Sequence, residues 1–557
     1  MPVVSIPVDL LSRLIEKQLS SEELLRVLSE LGCDVEGVDP TTNSLKINLL
    51  PARPDMFDIC GLARCLKGYL GISTGLPQYQ FKDSGVRVVV KPGLEKVRPF
   101  ICAAIVRAIK LDEELIKVMM DLQENLHWGL GRDRRRASIG IYDLNTVEPD
   151  FVYQPVASEG IKFIPLGEDR PFTPAEILKF HPKGQAYQHL LQGFPVYPLL
   201  TDRNGFVLSL PPIINSEKTK VTSTTTDLFI DVTGPDEWAT NKTLCVICAT
   251  FADLGGEVQT VKIEYPDGKT IITPDMEPEQ ITISFAEAEK VIGINLTQEE
   301  MIQLLQRMRY HAQPANNNQI LVTVPAYRCD VIHPYDVIED IAIGYGYHRL
   351  QPQLLGTATP SNPLKIEELC QLCRRVMTGL GFIETLSLNL SSPEAQFDHL
   401  GIKDDGKTIL LENPVSVEQR ILRRHLLFGI LETLKLNSTQ TLPQKIFEIG
   451  DVFAIAPDKE TGAEEKRHLA IGMADSKVGF AELKSVIEAL AREMDIEIVF
   501  TPFDQAPFLA GRCARLTKPD KTPVGICGEV HPEVLERFNL TVPVALAEID
   551  IQTLFSL

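Results

Sequence analysis

The sequence predicts an α+β chain of several domains, and three observations carry that expectation. Its 557 residues are enough for three or four domains of roughly 150 residues each. Apolar residues at helical spacing alternate with short β-branched runs over most of the length. One stretch of pattern also occurs twice, about 276 residues apart.

The elements follow in order. In residues 1–82, Ser20 and Glu23 form a capping box, Leu24, Val27, Leu28 and Leu31 make one apolar stripe, and Gly32 stops the helix. The strand-like SLKINLL comes next, then PARPDMFDICGLARCLKGYLGI. Residues 83–270 mix β-rich runs (GVRVVV, FICAAIVRAI, ASIGIYDL, FVLSLPPII, LFIDVTG) with helical patterns at 112–127 and 238–253, the composition of an α+β domain. EYPDGKTIITPDMEPEQ, rich in proline and acid, reads as a linker. Residues 271–354 return to the opening theme: Ser284/Glu287 and Thr297/Glu300 are spaced as capping boxes, and Met301, Leu304, Leu305 and Met308 form a stripe. A second linker, LGTATPSNP, leads into residues 355–557, which mix helices and strands.

The repeat is visible residue against residue. LSSEELLRVLSELGCDVE aligns with LTQEEMIQLLQRMRYHAQ, PARPD with PAYRCD, and GYLG with GYGY, so one helix–helix–strand–helix unit is used twice. The second copy adds four acids within eleven positions: Asp330, Asp336, Glu339 and Asp340. Pro334 and Tyr335 can open a helix, which puts Asp336, Glu339 and Asp340 on one face, with Asp330 closing on them across the turn. Helix capping accounts for Asp336 but leaves the others repelling one another. At an offset of 276, Glu339 and Asp340 fall on Ala63 and Arg64. The fold therefore does not require the acids, and a cation site is the stronger reading: magnesium, a basic residue of a partner, or both.

Composition sets the limits. A formal net charge of −20 excludes a surface that grips nucleic acid all round, though GRDRRR at 131–136, Arg374/Arg375 and Arg423/Arg424 allow local contact or simply solvated faces. Two CxxC pairs, Cys245/Cys248 and Cys370/Cys373, have no matching His/Cys cluster nearby and read as reduced, buried thiols. No apolar run reaches 18 residues, and the N-terminal stretch meets acids and amides too soon for a signal peptide. A cytoplasmic protein with no membrane partner is expected.

Six segments, taken in order, resemble the β subunit of phenylalanyl-tRNA synthetase in its archaeal/eukaryotic form: PARPDMFDICGLARCLKGYLGI, NLHWGLGRDRRRASIGIYDL, LPPIINSEKTKV…TDLFIDVTG, VPAYRCDVIHPYDVIEDIAIGYGY, ENPVSVEQRILRRHLLFGILETLKLN and IFEIGDVF. The resemblance runs over nearly the whole chain. It implies an α2β2 heterotetramer that joins phenylalanine to tRNA(Phe) with ATP as co-substrate, the aminoacylation site lying on α. The family's β subunit supplies a structural frame, a tRNA-editing domain, a helix-turn-helix-like domain with the acidic stretch, and a class II synthetase-like antiparallel-sheet domain without activity. These map onto residues 1–82 as a first helix-turn-helix-like unit, 83–270 as the editing domain, 271–354 as the second such domain, and 355–557 as the catalytic-like domain. The bacterial form carries an inserted oligonucleotide-binding domain and a C-terminal anticodon-binding domain, and neither is expected in this sequence, whose last residues are IDIQTLFSL.

By the same resemblance, the family's magnesium-associated acids map onto Asp330, Asp336, Glu339 and Asp340, at the contact with α. In the last domain, Arg423 and Arg424 lie in QRILRRHLL, but no nearby glutamate is spaced for the second class II motif, and FLAGRCARL…PVGICGEVHPEVL lacks the glycine-rich third. That domain is expected not to activate an amino acid. Editing answers a physical need, because an apolar pocket rejects an added hydroxyl poorly, so a second site must hydrolyse Tyr-tRNA. Asp231 and Thr233 in FIDVTG share one side of a strand and are the expected substrate contacts, followed by Ser209 and Asn215 in VLSLPPIINSE. His127 is expected as a polar core residue beside Trp128, with the arginines after it meeting the tRNA acceptor end. Two rival readings remain at this point, a non-enzymatic helix-turn-helix module and a free-standing hydrolase of mischarged tRNA. The first is weakened because LLQRMRYH offers only Arg307 and Arg309 as a basic face.

Overall fold

The computed structural model describes residues 3–48, 51–316 and 318–556. The chain divides into two compact units, residues 1–354 and 355–557. No helix among the described residues is long and apolar enough to cross a membrane.

Two small three-stranded antiparallel sheets in the first unit have the same strand order. In one, Val3–Pro7 and Asp34–Asp39 flank Ser44–Asn48; in the other, Glu279–Ser284 and His311–Ala315 flank Gln319–Val324. Leu49 and Leu50 of the strand-like SLKINLL lie outside the described residues. Each sheet carries helices in the same order: Val8–Ile15, Ser21–Glu30 and Ile59–Tyr69 in one copy, Phe285–Ile292, Gln298–Arg307 and Pro334–Tyr345 in the other. The unit is thus strand–helix–helix–strand–strand–helix, one strand longer at each end of the first helix pair than the sequence pattern implied. Reciprocal capping boxes start the second helix of each copy, Ser20 with Glu23 and Thr297 with Glu300. Ser284 caps only one way: it accepts from the Glu287 backbone N–H, while the Glu287 carboxylate is drawn off to the Tyr335 hydroxyl at 2.8 Å.

One apolar core serves both copies. Leu24, Leu28 and Leu66 of the first belong to the same buried cluster as Met301, Leu305 and Ile338 of the second. Arg307 reaches across to donate to the Tyr69 carbonyl at 2.6 Å, and Gly68 is needed because a Cβ there would collide with the Arg307 carbonyl.

Between the copies in sequence lies a ten-stranded mixed sheet. Helix Glu237–Asp253 covers one face with helix Glu113–Trp128, burying Leu244, Ile247, Phe251, Leu122 and Leu126 against Ala104, Val106, Ile230 and Val232. Strand Leu228–Gly234 is buried along its whole length, Asp231 and Thr233 included. Part of the stretch expected as a linker is a strand instead: Thr270–Thr273 pairs antiparallel with Glu257–Glu264. The Asp267–Gly268 turn makes the hairpin, Gly268 taking a φ of 89°. All eleven cysteines are free and buried, and burial pushes the Cys245 and Cys248 thiols far above the ordinary range.

The second unit centres on a seven-stranded sheet. Its long hairpin, Gln444–Ile455 with Ala463–Ala474, pairs onward to Val544–Asp550. The segment 355–363 before it is exposed and without regular structure.

Candidate active site

The large sheet curls until its two ends face each other. Strand Ser138–Asp143 stands at one end, Val207–Leu210 and Ile214–Asn215 at the other. Asn215 donates from Nδ2 to the Ile141 carbonyl at 3.3 Å, and the Tyr142 hydroxyl is hydrogen-bonded to Ser209 Oγ at 2.8 Å. A cavity of about 470 Å³ lies between these ends and helix Glu113–Trp128. Met119, Met120, Ile139, Ile141 and Ile213 make its walls apolar, while Asp231, Tyr142, Ser209, Ser138 and Asn215 supply polar groups. That mixture is the usual make-up of a small-ligand pocket.

Asp231 is 1% exposed. In the strand ladder it sits opposite Ala103 on one side and Gly140 on the other, neither of which offers a charge. Burial raises the carboxyl to about 7, against the hydrogen bond donated by Tyr142 and the charge of Arg98, which both lower it. Gly140 has no alternative: a Cβ would occupy the space of the Tyr142 hydroxyl and Asp231 Oδ1.

Of the four residues expected from the sequence, the structure brings Asp231, Ser209 and Asn215 to the cavity wall. Thr233 lies behind it, fully buried, with Oγ1 3.1 Å from Ser138 Oγ. Two residues along the strand from Asp231, it meets Arg98, whose guanidinium donates to the Thr233 carbonyl and hydroxyl, to Ser138 Oγ and to the Arg134 carbonyl. Every one of those acceptors is neutral, and burial lowers Arg98 to about 10.

His127 is buried and its Nε2 accepts from the Ile139 backbone N–H at 2.8 Å, so it pins the edge strand. Burial first, then the charges of Arg134 and Lys183, hold it well below the ordinary histidine range and hence neutral. The arginine cluster after it does not face outward as one patch. Arg132, Asp133 and Arg134 take positive φ angles of 47°, 54° and 63° in succession, a tight left-handed turn that folds Arg134 inward. Arg134 donates to the Pro212 and Ile213 carbonyls and to Glu124, and Arg136 donates to Asp236. Only Arg132 and Arg135 of the cluster remain exposed. At the cavity mouth, exposed Lys183 and Lys220 each keep a loose ion pair at 3.5 Å, with Glu124 and Glu217.

The four acids of the second repeat do not form one ligand set. Arg328 donates to Asp330 from Nε and Nη2, at 2.8 and 2.7 Å, and from Nη2 to Asp340 at 2.7 Å. The Tyr310 hydroxyl also donates to Asp340. Burial works to raise the Asp330 carboxyl, but the Arg328 guanidinium outweighs it and holds the group below its ordinary value. Asp336 closes the helix start, accepting from the Ile332 and His333 backbone N–H groups, and Glu339 stands exposed. Among the described residues, no three His, Cys, Asp or Glu side chains converge as a metal site would need. The donor set held by this chain therefore does not fit a magnesium ion, because the cation between Asp330 and Asp340 is its own Arg328. The first repeat uses the same clasp: Arg53 donates to Asp55 from Nε and Nη2, both at 2.9 Å. Arg64, which stands at Asp340's place, donates to Asp253 instead.

In the second unit an arginine–glutamate pair exists that sequence spacing concealed. Arg423 Nη1 lies 2.6 Å from Glu448 Oε1 on a neighbouring strand, with Ser387 Oγ bonded to both. Arg423 and Glu448 are 3% and 0% exposed, and Cβ atoms at Gly429 or Gly450 would collide with this cluster. The pair is sealed into the fold.

Three family models match in sequence: the B3/4 domain over residues 87–246, the tRNA synthetase B5 domain over 281–347, and the phenylalanyl tRNA synthetase beta chain CLM domain over 351–551. Among curated proteins, the phenylalanine–tRNA ligase beta subunit of Methanosphaera stadtmanae is 38% identical over 99% of both chains. That of Methanocaldococcus jannaschii is 38% identical over 99% of this chain and all of its own. A crystal structure of an N-terminal fragment of the phenylalanyl-tRNA synthetase beta subunit from Pyrococcus horikoshii superposes with a TM-score of 0.60 at 36% identity, covering 62% of this chain and 99% of that one.

Proposed function

The chain belongs to the family of phenylalanine–tRNA ligase β subunits, and from that premise we propose that it assembles with an α subunit and hydrolyses Tyr-tRNA(Phe) in the cavity around Asp231. The observation that carries the hydrolytic reading is the buried carboxyl at the floor of an apolar pocket, raised to about 7. A base with that poise is half-ionised at the pH where it works. Water adds to the ester carbonyl and its proton passes to the Asp231 carboxylate. The acyl C–O bond then breaks, and the ribose oxygen takes a proton, leaving free tyrosine and tRNA. Ser209 and Asn215 supply hydrogen bonds to the substrate, and Thr233 acts through Ser138 behind the wall. Lys183 and Lys220, free to leave their loose pairs, take the phosphates of the acceptor end.

Partnership with α in an α2β2 assembly is supported by the second unit. Ile383, Leu386, Leu388, Leu410, Val415 and Val417 are between 67% and 92% exposed within residues 383–417, apolar side chains of the kind a partner surface covers. The sealed Arg423–Glu448 pair leaves ATP and phenylalanine activation to α. In that assembly the exposed Glu339 is the carboxylate free to meet a basic group of the α subunit; no step of the hydrolysis runs through it. An editing domain between two helix-turn-helix-like units belongs to the same reading, but the bounds 82/83 and 270/271 each cut a strand of the large sheet, Lys82–Val90 and Thr270–Thr273, so the editing domain takes in both strands.

Phenylalanine charging of tRNA by this chain alone, by its co-purified partner alone and by both tests the assembly: charging only by both is expected. Tyr-tRNA(Phe) deacylation by the complex tests the cavity, with loss expected in Asp231→Ala. A complex that charges phenylalanine yet deacylates Tyr-tRNA(Phe) no faster than buffer overturns the hydrolytic reading.

A further inference from the structure

We infer that Tyr142 is the positioning residue of this cavity: its hydroxyl ties the Asp231 carboxyl to Ser209 and holds the carboxyl at one place on the floor. The inference rests on the hydrolytic reading above, and its test separates the two.

The Tyr142 ring cannot swing away. It is fully buried on the edge strand, its centroid 5.9 Å from that of Phe229, which in turn stacks on Phe151 at 3.9 Å. With the ring fixed, the hydroxyl has two partners, Asp231 and Ser209, and they come from different strands. Ser209 belongs to the far end of the curled sheet, so this single oxygen links the two ends at the place where substrate must enter. The arrangement also has room made for it: Gly140, directly across the ladder from Asp231, lacks the Cβ that would displace the hydroxyl.

The groups that act on Asp231 are few. Tyr142 approaches from the edge strand, Arg98 from the segment before Phe100–Arg107, and Tyr153 from strand Phe151–Val156; Ala103 and Gly140 flank it without charge. Tyr142 alone among them donates to the carboxyl itself. A donor fixed on a carboxylate favours its ionised form. Without it the carboxyl keeps its proton to higher pH and gains freedom to rotate, and both changes reduce the fraction of molecules able to accept a proton from water.

The test uses the full chain in complex with its partner and the variant Tyr142→Phe, which keeps the ring. Difference infrared spectroscopy of the protonated carboxyl, with Asp231→Asn as the blank, follows the Asp231 titration directly; its midpoint is expected to move to higher pH in Tyr142→Phe. Deacylation of Tyr-tRNA(Phe) at pH 7 should lose about 10-fold in kcat with KM within about 2-fold, and the loss should shrink as pH rises. Ser209→Ala, which cuts the other end of the link, should move both readouts the same way but less. An infrared midpoint and a kcat–pH profile in Tyr142→Phe that overlay the wild type overturn the inference. If the wild-type complex deacylates nothing while the infrared midpoint still moves, the hydrolytic reading falls and the hold of Tyr142 on Asp231 stands.

Discussion

Arg328 lies 2.7 Å from Asp340 with both side chains buried, so a guanidinium supplied by the same repeat neutralises the carboxylate that the first repeat does without. The same guanidinium holds Asp330. Removing it leaves the buried Asp340 without a cation and Asp330 with only the Arg53 guanidinium at 3.9 Å. Arg328→Ala should therefore destabilise the first unit by about 3–5 kcal/mol, the cost of breaking a buried pair from one side. Glu339→Ala, at an exposed position, should change stability by no more than about 0.5 kcal/mol. Urea titration of the two variants decides: equal effects would mean that Arg328 is not the cation of this cluster.

A raised carboxyl pKa has a definite sign in stability. Asp231 binds its proton up to about pH 7 in the folded chain, whereas an unfolded aspartate releases it near pH 4. Between those values the folded state holds more protons, so its stability falls as pH rises through that window and levels off above it. Asp231→Asn removes the penalty. Its stability relative to wild type should rise between pH 4 and 8, by up to about 4 kcal/mol, with the gain absent at pH 4. Denaturation midpoints measured across that range check it, and a difference independent of pH would show that Asp231 titrates normally.

Gly140 gives a steric version of the same dependence. Gly140→Ala places a methyl where the Tyr142 hydroxyl and Asp231 Oδ1 now meet, so one of them must move. Tyr-tRNA(Phe) deacylation should fall at least 10-fold, while phenylalanine charging by the complex stays within about 2-fold. Loss of charging together with deacylation would point to general misfolding instead, and a far-ultraviolet spectrum with a melting curve separates the cases.

The fold was legible in the sequence wherever local chemistry decided it. The Ser20/Glu23 and Thr297/Glu300 boxes, the apolar stripes behind them and the twofold use of one pattern all depend on residues within a few positions of each other. Thr270–Thr273 could have been read too, since Asp267–Gly268 between two alternating runs is a hairpin signal that the surrounding prolines obscured. Asp231, Ser209 and Asn215 were reachable as polar residues in apolar strands. Tyr142 offered less: the spacing of Ser138, Gly140 and Tyr142 places them on one strand face, but nothing local says that the face closes on residues some 70–90 positions away. Arg98 gave no signal at all, because its partners are backbone carbonyls and hydroxyls brought together only by the finished sheet. The acid face failed for a related reason. Spacing put Asp336, Glu339 and Asp340 on one helix correctly, yet nothing in the spacing marked Arg328, two residues before Asp330, as the counter-ion of Asp330 and Asp340.

The exposed apolar stretch of the second unit makes assembly measurable. Leu386→Asp with Leu388→Asp leaves the buried cores untouched, as both side chains are more than two-thirds exposed. The double variant should fold with an unchanged melting temperature but fail to co-purify with the α subunit, and charging by the mixture should fall accordingly. Retained co-purification at normal yield would place the contact elsewhere.

The core shared by the two repeats also has a history in time. Its first half, up to Tyr69, leaves the ribosome long before its second half, which begins at Glu279. At about 5–20 residues per second the nascent chain carries the apolar faces of Leu24, Leu28 and Leu66 unmatched for some tens of seconds, while the intervening sheet is being made. Domains usually complete themselves as they emerge; here the first to be synthesised is among the last to close. Translation that stalls within the large sheet therefore leaves a product with a half-built core, a natural client for holding chaperones and for proteolysis.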